Sequence, residues 1–169
     1  MDYVASRRQL IERNGFALSK TFGTSMRPLI WGGQHCVAVA PLEGEPALGD
    51  LLLFESRAGL ERRNIVHRLI EIRGEGAGRV YVTRGDNCLD CEQVRREEII
   101  GHVAEVHRIG GFRPWHAIPA RRFAVTDPAC RRYSRLWMAL WPARRQYYRL
   151  RARVYGAYAR LKQIFKRKK

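Results

Sequence analysis

The stretch NIVHRLIEIR, residues 64–73, is crowded with β-branched and aliphatic side chains and reads as a strand. Two-residue alternation puts His67 on the face that carries Ile65 and Leu69, the side expected to be buried. On either side of it, HCVAVAP (35–41), DLLLFE (50–55), RVYVTR (79–84) and EIIGHVAEVHRI (98–109) have the same character. Gly, Pro and Asp separate these runs, as in PLEGEPALGD (41–50) and RGEGAG (73–78). Short strands so punctuated predict a mainly β fold, an antiparallel sheet or small, partly closed barrel, over residues 1–120. A short amphipathic helix is expected at its start, over 4–14, with Val4, Leu10 and Ile11 towards one side and Gly15 as the stop.

Beyond residue 131 the period changes. Leu136, Trp137, Leu140 and Trp141 recur at helical spacing, Pro142 interrupts, and Tyr147, Leu150, Val154, Tyr158, Leu161 and Phe165 follow at steps of three or four. The chain of 169 residues thus reads as one β-domain with a helical extension over 131–169. Charge divides it in the same place. Residues 1–130 hold 18 Lys/Arg against 16 Asp/Glu, whereas 131–169 hold 14 Lys/Arg and no acid, so nearly all of the net +16 sits in the extension. Such an excess speaks of partners, not of fold. The longest apolar run there, LWMALW (136–141), is far short of the roughly 20 residues a spanning helix needs. Residues 1–19 lack a signal-peptide core, so the expected location is the cytosol.

FGTSMRPLI, residues 22–30, sets Ser25 in a turn before Pro28. Serine is common in turns because its hydroxyl bonds nearby backbone groups, so a cap is one reading. The other is a nucleophile, which needs a base. Lysine is a poor candidate for that base. The five lysines are Lys20, Lys162, Lys166, Lys168 and Lys169, and residues 21–161 contain none. His67 fits better, although a buried imidazole can equally be a core residue satisfied by a hydrogen bond. After the next strand, TRGDNCLDCE (83–92) supplies Asp86, Asp90 and Glu92, any of which could return towards His67 and fix its tautomer.

Taken together, GTSMRPLIWGGQHCVAV, LGDLLLFE, IVHRLIEI, YVTRGDN and IIGHVAEV resemble, in order, the catalytic domain of the type I signal peptidases and their relatives, which include the self-cleaving SOS and phage repressors. The resemblance spans residues 20–110, and it implies a serine endopeptidase. Ser25 matches the nucleophile. His67 matches the base position, lysine in the bacterial type and histidine in the archaeal and endoplasmic-reticulum type. Asp86 matches the Gly-Asp-Asn block; in the His type an Asp a few residues after that block completes the triad, and here the third member is expected to be Asp86 or Asp90, with Glu92 behind them. The oxyanion is then held by the Ser25 N–H with the Thr24 or Gly23 neighbourhood, while Met26 and Pro28 wall the pocket. Gly23 replaces a serine whose hydroxyl serves as a further donor in many relatives. The implied substrate is an extended peptide or precursor protein with small side chains beside the cut.

No cofactor or metal is expected. Cys88 and Cys91 form a lone CxxC, with His102 the nearest further ligand, and read as ordinary thiols rather than a zinc site. The basic, aromatic extension is expected to lie peripherally on an anionic membrane, on its inner face, the alternative being that its apolar stripe packs on the β-body. Nucleic acid is the less favoured partner, because the repressor relatives bind DNA through a separate domain and only about 20 residues precede the Ser25 block. A catalytically silent peptide-binding module or an adaptor working through the extension are the alternatives to an enzyme.

Overall fold

The computed structural model describes residues 3–56, 63–108, 122–125 and 127–167. Its strands are β1 (Ala17–Lys20), β2 (His35–Ala40), β3 (Leu51–Ser56), β4 (Arg63–Arg73), β5 (Val80–Arg84), β6 (Cys91–Val94), β7 (Ile99–Arg108) and β8 (Arg122–Ala124). They form one antiparallel sheet in the order β1-β2-β7-β3-β4-β5-β6, with β8 beside β7. The sheet curls into a half-barrel, the mainly β, partly closed fold expected. Helix α1 (Tyr3–Asn14) precedes it, and α2 (Pro128–Ala139) and α3 (Trp141–Arg167) follow. The expected end of the β-body near residue 120 lies outside the described residues.

Curling gives both faces of the sheet a core. Val37, Val39, Leu51, Leu53, Val103 and Val106 pack on one side with Met26 and Ile30, and Leu52, Phe54, Leu69, Tyr81, Val94 and Ile99 on the other. Leu51 to Phe54 are all buried, which is why that run shows no polar alternation. The expectation for α1 needs correcting: Ile11 is buried but Leu10 is exposed. The helix faces the body along Arg7 and Ile11, one turn apart, and Leu10 falls off that line. The side chain of Val4 lies outside the described residues.

Asp127 caps α2, accepting a hydrogen bond from the Ala129 N–H at 2.8 Å, and Pro128 occupies the first helical position, where no N–H is required. Pro142 likewise sits in the first turn of α3, so the interruption read at that proline is the junction of two helices. Among the described residues no helix is long and apolar enough to cross a membrane.

Candidate active site

Ser25 lies in the connection from β1 to β2. Thr21 closes the base of this loop: its hydroxyl donates to the His35 carbonyl at 2.7 Å, and its carbonyl accepts from the Gly33 N–H at 2.7 Å. A Cβ on Gly32 would lie 2.3 Å from the Gly23 carbonyl oxygen, so the two arms of the loop meet only because residue 32 is glycine. Met26 and Ile30 are buried and hold the turn to the core. Among the described residues the Ser25 hydroxyl bonds no backbone group, so it does not serve as a turn cap.

The turn after β5 supports Ser25 from behind. The Asn87 N–H donates to the Ser25 carbonyl at 2.6 Å, and the Asn87 side-chain amide to the Thr24 carbonyl at 3.2 Å. Gly85 is in contact with Ser25, and a Cβ there would sit 2.8 Å from its carbonyl oxygen and 2.9 Å from its Cβ.

His67 comes from β4, opposite Leu52 in the ladder, with its ring edge-on to Phe54 at 6.0 Å between centroids. Burial lowers its pKa to about 4, so the imidazole is neutral at physiological pH. Its Nδ1 is buried and accepts or donates no hydrogen bond among the described residues. Ser25 and His67 line the same cavity, of about 930 Å³, together with Gly23, Met26, Ile30 and Cys88. The two side chains share this space without hydrogen bonding to each other, a looseness common before substrate binds. Lys20 reaches the same cavity but is exposed to water. Thr24 is exposed and does not line the cavity.

The acids expected near His67 are placed elsewhere. Both carboxylate oxygens of Asp86 accept from Arg68, from Nε at 2.8 Å and from Nη2 at 2.7 Å, and the two side chains are 2% and 1% exposed. Arg68 follows His67 in the strand and so projects from the opposite face. Its remaining nitrogen, Nη1, donates to the Gly49 carbonyl and to the Ser134 hydroxyl of α2. The helical extension also holds the Asp86 backbone: its carbonyl accepts from Arg144 and from the Tyr148 hydroxyl. Asp90 is exposed, and Glu92, half-buried, has its pKa raised by burial. Among the described residues His67 has no carboxylate bonded to its ring, and Asp86 positions the turn behind Ser25 through Arg68. Nothing in the sequence pattern marks Arg68, since the helix covering its face lies far along the chain.

Two strand edges flank the cavity. Among the described residues β1 pairs in the sheet with β2 alone, and residues 64–67 of β4 pair with β3 and not with β5, whose ladder begins at Arg68. Residues 19–23 on one side and 63–67 on the other line the space between them. Cys88 is half-buried with its pKa raised by burial, Cys91 is exposed, and both thiols are free. Among the described residues no group of three His, Cys, Asp or Glu side chains is arranged to hold a metal ion. No protein-family model matches this chain, and no curated protein or solved structure is found to match it.

Proposed function

We propose that this protein is a serine endopeptidase of signal-peptidase-like type that cleaves an extended peptide or precursor protein, with Ser25 as nucleophile and His67 as general base. The observation that carries the reading is the pairing of Ser25, its hydroxyl free of local bonds, with a neutral, buried imidazole in one cavity, between β1 and residues 64–67 of β4, whose outer edges have no ladder partner among the described residues. An extended peptide satisfies such edges by adding a strand, which sets its carbonyl against the Ser25 turn. Ser25 Oγ attacks that carbonyl while His67 accepts its proton. The developing oxyanion is met by the Ser25 N–H, which has no acceptor among the described residues. His67 then gives the proton to the leaving amine, and water, activated by the same imidazole, releases the acyl group. With Nδ1 unpartnered, the machinery is a Ser-His dyad rather than a triad. Among the described residues no carboxylate bonds the His67 ring to stabilise the imidazolium, which makes for slow turnover on a dedicated substrate.

The test is labelling with a small serine-reactive phosphonate, read by intact mass on the wild type, Ser25→Ala and His67→Ala. One adduct on the wild type and none on either variant is the expected result. Absence of an adduct on folded wild-type protein from pH 5 to 9 refutes the catalytic reading and leaves a peptide-binding module.

A further inference from the structure

We infer that α3 is a docking surface for an anionic lipid bilayer. The first turns of the helix touch the body: Arg144 and Tyr148 reach the Asp86 carbonyl and the Arg84 guanidinium lies 3.1 Å over the Trp141 ring. From Arg149 to Tyr158 every residue is exposed. Four apolar or aromatic side chains among them and just before, Tyr147, Leu150, Val154 and Tyr158, follow one another at three and four residues and form a single stripe, each about 60% exposed. On the other side of the helix, Arg145, Arg149 and Arg153 step by four into a ridge, also exposed. The stripe does not pack on the β-body. A helix that presents an apolar face and a cationic one to water matches the boundary between acyl chains and anionic headgroups, where both are satisfied at once. The charge fits only one sign of partner: residues 131–169 contain 14 Lys/Arg and no acid. A phosphodiester chain would match the ridge but leave the stripe in water, which favours the bilayer. This inference does not rest on the peptidase reading, because among the described residues none of α3 lines the cavity.

The experiment is sedimentation of the full chain with vesicles of phosphatidylcholine alone and with about a third phosphatidylserine, at low and at raised salt. Binding to the anionic vesicles only, weakened by salt, is expected. Replacing Arg145, Arg149 and Arg153 by Gln removes three charges and should weaken partition roughly 100-fold, at about fivefold per charge. Replacing Leu150 and Val154 by Ser should weaken it at least about tenfold, and neither change touches a residue that packs on the body. Failure to bind anionic vesicles overturns the inference. So does binding that survives loss of the stripe, or a stripe-dependent dimer in sedimentation velocity without vesicle binding. A stripe-independent affinity for duplex or single-stranded nucleic acid, with no vesicle binding, assigns the ridge to phosphates instead.

Discussion

Replacing Asp86 by Asn should unfold this protein far more readily than its single lost charge suggests. The Arg68 and Asp86 side chains are 1% and 2% exposed, so water screens neither. In Asp86→Asn the Arg68 guanidinium stays buried and loses its counter-charge; the amide oxygen can accept one of the two former hydrogen bonds, the amide NH2 faces the other guanidinium N–H, and the bonds to Gly49 and Ser134 remain. Stranding a buried charge in this way costs about 3–5 kcal/mol. With a urea slope of about 2 kcal/mol per M, the midpoint should fall by about 2 M. Arg68→Gln should cost a similar amount by stranding the carboxylate. The double variant replaces the ion pair with two amides that bond each other, so it should be more stable than either single change. Its coupling energy should exceed about 2 kcal/mol. Urea unfolding of the four proteins, followed by fluorescence of the four tryptophans, measures all of this. Additive losses would refute the idea that the two charges exist for each other. The folded double variant also separates roles: if Asp86 acted on His67, phosphonate labelling of Ser25 would vanish in it, whereas a positioning role leaves labelling measurable.

Titration supplies a second expectation. Because burial holds His67 near a pKa of about 4, labelling of Ser25 should already be on its plateau by pH 6 and decline only towards pH 4; a midpoint near 6.5 would contradict a desolvated imidazole. The same shift makes stability pH-dependent. The unfolded chain binds the proton at about pH 6.5 and the folded one only near 4. Stability is therefore full above pH 6.5 and falls by about 3 kcal/mol as the pH drops through that window, a loss that His67→Phe should largely abolish in unfolding curves. At Gly85, an added methyl meets the Ser25 carbonyl and Cβ below 3 Å, so Gly85→Ala should cost about 1–3 kcal/mol and reduce labelling at least tenfold. Gly78→Ala, where a methyl meets nothing within 4 Å, should do neither in the same assays.

The long strands were legible because aliphatic runs bounded by Gly and Pro have no other stable use in a chain of this kind. β2, β4 and β7 lie within a residue or two of the stretches at 35–41, 64–73 and 98–109. β1 and β6 were not legible. ALSK and CEQV are four residues each, and β1 is flanked by an exposed Phe16 and carries an exposed Leu18, so pairing with β2 rather than any hydrophobic pattern makes it a strand. The site divides in the same manner. Ser25 and His67 could be found from residue type and order, and the lysine-free middle of the chain pointed to histidine. The destination of Asp86 could not be found, because alternation assigns Arg68 to the side away from His67 and says nothing of what covers that side. There α2 and α3 supply Ser134, Arg144 and Tyr148, contacts across some 60 residues that no local pattern encodes.

The sheet order has a consequence for how the molecule comes into being. β1 and β2, with the Ser25 loop between them, are neighbours in the chain and in space, and so are β3, β4, β5 and β6, which include His67. β2 and β3 do not pair; β7 lies between them in the sheet, bonded to β2 through residues 102–108 and to β3 through residues 99–102. Each half can form from local contacts, but joining them needs pairings such as Val37 with Val106, which close a long loop and come slowly. During synthesis the serine half is made first and the histidine half next, and both must wait for residues 99–108 to emerge. Until that strand is inserted, a nascent chain holds both Ser25 and His67 but does not bring them together.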